Sequence, residues 1–240
     1  MNFINLKSPN FSKKPRNIKK IKFIIIHYTG MQSARVSLER LTSPKHKVSS
    51  HYLIDRAGMV FKLVDDLKIA WHAGKSKWKE FKNLNNNSIG IELVNKGHRF
   101  GYQKFTKKQI LSLIGLCKKL KSKYRIKNHS ILGHSDIAPL RKTDPGEKFP
   151  WPQLTKRQIE KQLLLTKENF LSKSLNNNQT RNYFFKNLYK IGYRYFNKNK
   201  SLKTDKLIIK SFQRRYRQQK ISGKIDLECL QISAYLTKNT

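Results

Sequence analysis

Acidic side chains are scarce in this chain: 14 Asp and Glu stand against 52 Lys and Arg among 240 residues, a formal charge of +38. Such a balance implies attraction to a polyanion without saying which one. The excess is spread evenly, since residues 1–165 hold 35 basic and 10 acidic side chains and residues 166–240 hold 17 and 4. A dedicated nucleic-acid module gathers its basic residues on one face or segment, so this spread argues against nucleic acid as the partner. Asparagine tracts at 85–87 and 176–178, with the abundant Lys and Ile, offer a compositional origin for the charge, drift toward AT-rich codons. Both origins stay open at this point.

Cysteine is nearly absent. Cys117 and Cys229 fall in different expected domains, which excludes the disulfide framework of a small secreted scaffold. Long apolar runs are missing too: the longest, Phe23 to Ile26, is far short of the ~20 residues that span a bilayer. Met1 to Lys22 has basic residues but neither an apolar core of about 7–15 residues nor a small-residue cleavage site, so it does not read as a secretory signal. The expected location is cytoplasmic for the chain as written, or periplasmic or wall-associated if this is a mature form. Oligomeric state has no signature in the sequence.

What is present suffices for one full-sized domain and a small one. After an irregular arm over residues 1–20, the uninterrupted Phe23-Ile24-Ile25-Ile26 run predicts a strand buried on both faces and central in its sheet. Val48–Ile54 and Met59–Val64 flank the turn signal Asp55-Arg56-Ala57-Gly58 and predict a hairpin. Further strands are expected at Ile89–Val94 and Ser130–Leu132. Between them Thr106 caps a helix whose Ile110, Ile114 and Cys117 recur at helical spacing. The fold class is therefore α/β, a central mixed β-sheet flanked by helices, over residues 1–170. A Ser/Asn-rich linker is placed at 171–180, and a small all-α three-helix bundle at 181–240, where Ile208, Phe212 and Tyr216 form an apolar stripe.

Residues that stand where buried strands end are the natural candidates for chemistry, because loops on a rigid sheet carry function. His27 ends the Ile run, His134 follows the last strand, and Asp144 lies in the loop after it, in Lys142-Thr143-Asp144-Pro145-Gly146. Two imidazoles and one carboxylate make a catalytic zinc set with a fourth position open, and an ion so held polarises a carbonyl and activates water. Taken singly, each histidine reads as easily as a packed strand-end residue.

The local words around these positions resemble those of the type-2 N-acetylmuramoyl-L-alanine amidases, a zinc family that includes peptidoglycan recognition proteins and phage amidases. Six words carry the resemblance, in the family's order: Ile25-Ile26-His27-Tyr28-Thr29, Ser50-His51-Tyr52-Leu53-Ile54, Ala70-Trp71-His72-Ala73-Gly74, Ser88 to Asn95, Gly133 to Pro139 and Arg141 to Gly146. The resemblance implies zinc as cofactor, one ion per chain, with His27, His134 and Asp144 as ligands, Glu92 as general base and Lys142 as the oxyanion stabiliser. It implies a substrate groove along Trp71, His72, Ala73 and Arg141, and peptidoglycan or anhydro-muropeptides as partners. His51 reads as a packed strand residue, and His46, His98 and His129 as surface positions. Residues from about 180 are similar, more loosely, to a peptidoglycan-binding domain through Phe212-Gln213-Arg214-Arg215-Tyr216 and Gly223-Lys224-Ile225-Asp226. Two rivals stand beside the enzyme: a recognition protein that binds wall without cutting it, and a basic nucleic-acid binder.

Overall fold

The computed structural model describes residues 3–155, 177–196 and 202–238. The chain divides into two units, residues 1–76 with 81–134, and residues 77–80 with 135–240. The first unit holds a six-stranded sheet in the order β1 (Ile4–Asn5), β5 (Val60–Lys62), β4 (Tyr52–Ile54), β9 (Ser88–Leu93), β3 (Phe23–Tyr28) and β10 (Ile131–Gly133). β4 and β5 form the antiparallel hairpin that their intervening turn predicts, and every other pairing is parallel. The remaining short strands are β2 (Phe11–Ser12), β6 (Ile69–Ala70), β7 (Lys77–Trp78) and β8 (Phe81–Lys82).

Ile24, Ile25 and Ile26 of β3 are fully buried, as expected of a parallel strand covered on both faces. Its place is nonetheless fifth of six, with only the three-residue β10 outside it. This corrects the expectation of a central strand: an apolar run reports cover on two faces and says nothing about how many strands lie beyond. Two helices flank the sheet, α1 (Ala34–Thr42) and α2 (Lys107–Tyr124). Leu41 of α1 joins Leu53, Leu63 and Val94 in one apolar cluster. α2 begins as its cap predicts, with Thr106 accepting from the Gln109 amide, and its buried face runs through Ile110, Leu113, Leu116, Cys117 and Leu120. The Gln109 side chain donates to the carbonyls of Ile54 and Val94 at 3.0 and 3.1 Å, bolting the helix to two strand ends.

The N-terminal arm is not irregular. It contributes β1 to the sheet edge and pairs β2 with β6, strands too short to show a period in sequence. It also inserts Arg16, 5% exposed, whose guanidinium donates to the carbonyls of Asp66 (2.7 and 3.1 Å), Asn85 (3.0 Å) and Ser88 (2.7 Å). Two buried carbonyls and a half-buried one accept from this one side chain, and a buried acceptor left unsatisfied costs about 1–3 kcal/mol. Arg16→Met is therefore expected to lower unfolding free energy by about 3 kcal/mol in urea titration. A loss under about 1 kcal/mol would show that water satisfies those carbonyls.

After β10 come α3 (His134–Ile137), α4 (Trp151–Thr155), α5 (Asn177–Ile191), α6 (Leu202–Tyr216) and α7 (Leu227–Lys238). The last three pack Phe184, Leu188, Ile208, Phe212, Cys229 and Ile232 in their shared interior, with Phe184 edge-on to Phe212. The Asp226 carboxylate accepts from the Cys229 amide at 3.1 Å and starts α7. α5 already begins at Asn177, inside the stretch expected to be linker. Residues 156–176, which include the expected end of the first domain and the start of the linker, lie outside the described residues. Among the described residues no helix is long and apolar enough to cross a membrane.

Candidate metal centre

Three parallel strands place the first two histidines. In the β3–β9 ladder His27 stands opposite Glu92. Partners in a parallel ladder project to the same face from strands about 4.8 Å apart, so the imidazole and the carboxylate emerge side by side. In the β3–β10 ladder Gly133 stands opposite Ile26, which brings His134, the next residue, level with His27. The Asp144 loop returns to this point, because the Ser135 amide donates to the Asp144 carbonyl at 2.9 Å. One ligand atom each from His27, His134 and Asp144 lies within 4.8 Å of the other two, and all three residues are buried.

The proton positions on the two imidazoles follow from their outward neighbours. His134 Nε2 lies 3.1 Å from the Ala73 carbonyl and must donate to it, which makes Nδ1 the nitrogen able to donate a lone pair to a metal. Ser88 donates its hydroxyl proton to the Leu84 carbonyl at 2.5 Å, so its oxygen accepts from His72 Nε2, 3.4 Å away. His72 Nδ1 is then an acceptor, and His27 Nε2–H donates to it at 3.0 Å. His27 then has Nδ1 as its candidate donor nitrogen, 2.9 Å from Nδ1 of His134. Two nitrogen lone pairs converge with a carboxylate beside them. Zinc with Zn–N of about 2.0–2.1 Å in a tetrahedron separates its nitrogens by roughly 3.4 Å, so the donor set fits that ion with a small adjustment.

The support behind this pair was not legible as such in the sequence. His72 is buried, and burial, with the neighbouring His27 adding to it, holds the ring well below the ordinary histidine range. It lies so close to β9 that a Cβ at Gly90 would meet the ring at 2.4 Å; only glycine admits it. The Asn85 side chain accepts from the His72 and Ala73 amides at 3.1 and 2.7 Å and holds the segment. His51, packed as expected, accepts from the Gly90 amide at 3.0 Å and donates to the Lys68 carbonyl at 3.1 Å. Burial, with the Arg16 guanidinium beside it, pushes His51 down to about 3. Asn85 and Arg16 carried no local signal, since one stood in a polar loop and the other among 52 basic residues.

The other expected residues divide. Glu92 and Lys142 are half-buried, Lys142 in a turn where its amide and that of Arg141 both donate to the Ala138 carbonyl at 3.1 Å. Arg141 is exposed. Of the expected groove residues Trp71, His72 and Ala73, Trp71 alone keeps part of its surface in solvent, with its indole N–H on the Ser12 hydroxyl at 3.2 Å. His72 turns inward to His27 and Ala73 offers its carbonyl to His134, so both face the candidate ligands. His46, His98 and His129 are exposed, as expected, although His98 also stacks on Tyr102 at 4.4 Å.

Two imidazoles and a carboxylate, the first two at the carboxyl ends of parallel strands and the third in a loop, are a donor set suited to a divalent metal, and catalytic zinc sites use such a set with a fourth position open. The family profile described as N-acetylmuramoyl-L-alanine amidase matches residues 17–147, more than half of the chain, and the chain belongs to that family. It is 40% identical over 152 residues to N-acetylmuramoyl-L-alanine amidase AmiD of Escherichia coli; the match covers 58% of this chain and 54% of that protein, so it spans little more than half of that relative. It is 33% identical over 164 residues to 1,6-anhydro-N-acetylmuramyl-L-alanine amidase AmpD of Haemophilus influenzae, covering 61% of this chain and 86% of that one. Among solved structures, AmpDh3 of Pseudomonas aeruginosa in complex with an anhydromuramic pentapeptide superposes with a TM-score of 0.81 at 27% identity, over 95% of this chain and 94% of that one. AmiD of E. coli with an anhydro-N-acetylmuramic acid tripeptide gives 0.78 at 29% identity, over 95% and 92%.

Proposed function

We propose that this chain is a zinc-dependent amidase that hydrolyses the bond between N-acetylmuramic acid, or its 1,6-anhydro form, and L-alanine in peptidoglycan or its fragments. The observation that carries the reading is the convergence of His27, His134 and Asp144 with both imidazole tautomers set for metal. A zinc ion held there would polarise the amide carbonyl and activate water. Glu92, on the face and at the level of His27, takes the proton from the attacking water and returns it to the departing alanine nitrogen. Lys142, two residues before a ligand, stabilises negative charge on the carbonyl oxygen. His72 positions His27, while Trp71 and Arg141, which keep solvent access, are left to meet the glycan or stem peptide. The α/β domain reaches to about residue 170, and residues 181–240 act as a peptidoglycan-binding-like module whose partner's stem-peptide carboxylates suit the basic surface. Support for that module comes from the helices α5 to α7 and the Phe212–Tyr216 word.

Incubating the full chain with zinc and either anhydro-muropeptides or intact sacculi, with products weighed by mass spectrometry, tests the reading. Release of intact stem peptides beginning with L-alanine is expected, with loss on chelation and return on adding zinc. Stoichiometric zinc without cleavage of either substrate would leave a recognition protein instead.

A further inference from the structure

The loop that presents Asp144 is held by the C-terminal helices at both of its ends. At its start, Ser211 Oγ donates to the Ser135 carbonyl at 2.7 Å. The Asp136 carboxylate, fully buried, accepts from Tyr193 Oη at 2.7 Å and from Arg215. At its end, Gln218 Nε2 donates to the Phe149 carbonyl at 2.7 Å, and the Arg215 guanidinium lies over the Trp151 ring at 4.3 Å. Ser211 and Arg215, spaced i, i+4 on α6, and Gln218 in the turn that follows it make all of these bonds except that of Tyr193, which stands just after α5. A module that served only to bind wall has no need of a buried ion pair in the segment next to a ligand, because such a pair is costly to bury and rigidly oriented. Ser135, whose carbonyl α6 holds, gives its amide to the Asp144 carbonyl.

We infer that α6 is a positioning element of the metal centre: Ser211, Arg215 and Gln218, with Tyr193, hold the loop from Ser135 to Trp151 in the conformation that presents the Asp144 carboxylate to the ion. The inference rests on the reading of Asp144 as a zinc ligand. Its residues act through the backbone and the buried Asp136 side chain of the loop that carries Asp144.

The test uses the full chain and three variants, Tyr193→Phe/Ser211→Ala, Arg215→Met and Arg215→Lys. Zinc dissociation constants are measured by competition with a chromogenic chelator at 25 °C, alongside the visible spectrum of the cobalt form and the melting temperature of the metal-free protein. Outer-shell supports of metal ligands are worth roughly 10–100-fold in affinity. The double variant is expected to bind zinc roughly tenfold more weakly and to shift the cobalt bands. Arg215→Met is expected to lose more, and Arg215→Lys to recover part of it. If Arg215→Met does not fold, the double variant decides. Lower melting temperatures with unchanged zinc affinity and cobalt spectrum would overturn the inference and leave α6 a purely stabilising helix. Wild-type protein that holds no zinc would instead remove the reading beneath it.

Discussion

Asp144→Ala is expected to weaken zinc binding by on the order of a thousandfold and to take turnover to background at micromolar zinc. Apparent zinc binding energies of structural sites run to about 10–16 kcal/mol; shared among three or four ligands, each contributes roughly 2.5–5 kcal/mol, and about 1.4 kcal/mol is a factor of ten. His134→Ala should behave alike. His72→Ala forms the graded control. It removes no ligand, only the acceptor of the His27 Nε2 proton, and so belongs with outer-shell losses of roughly 10–100-fold. Zinc content after gel filtration and chelator competition read both effects. An Asp144→Ala protein that keeps one zinc at wild-type affinity would sink the assignment of the centre.

Glu92→Gln separates proton transfer from metal binding. The amide is nearly isosteric with the carboxylate but cannot take a proton from water. General-base catalysis contributes about 10²–10⁴-fold, so kcat should fall within that range while zinc content stays near one per chain. The strand context strengthens the expectation. Glu92 stands between buried Ile91 and Leu93 in β9, level with His27 on one side and Leu53 on the other, where a carboxylate without a task is costly. Residual activity within about tenfold of wild type would assign the proton transfer elsewhere.

The same residues show how far a chain can be read. β3, the β4–β5 hairpin, β9 and α2 were legible because periodicity and turn chemistry are local: side chains at spacing two or 3.6 meet the same surface whatever lies across from them. His27, His134 and Asp144 were legible as candidates because each ends an element or sits in a Pro/Gly turn. The position of β3 in the sheet was not, nor were the two-residue strands of the arm, which are too short to carry a period. Arg16 resembles every other basic residue until its partners are seen. His72 read as part of an open groove, since nothing near it in sequence names the imidazole behind which it packs.

By itself, then, the order of residues determined the α/β class, the helices described beyond residue 177 and three candidate donors for a metal centre. Tertiary structure alone decided which nitrogen of His27 and of His134 faces the candidate metal position, that His72 backs His27, that Arg16 bonds the carbonyls of Asp66, Asn85 and Ser88, and that α6 and the turn after it bond both ends of the Asp144 loop. The division has one physical cause. Apolar burial is non-directional and is recorded in local pattern, whereas hydrogen bonds and ion pairs are directional and take their meaning from partners brought together across 45 residues, as with His27 and His72, or 79, as with Asp136 and Arg215.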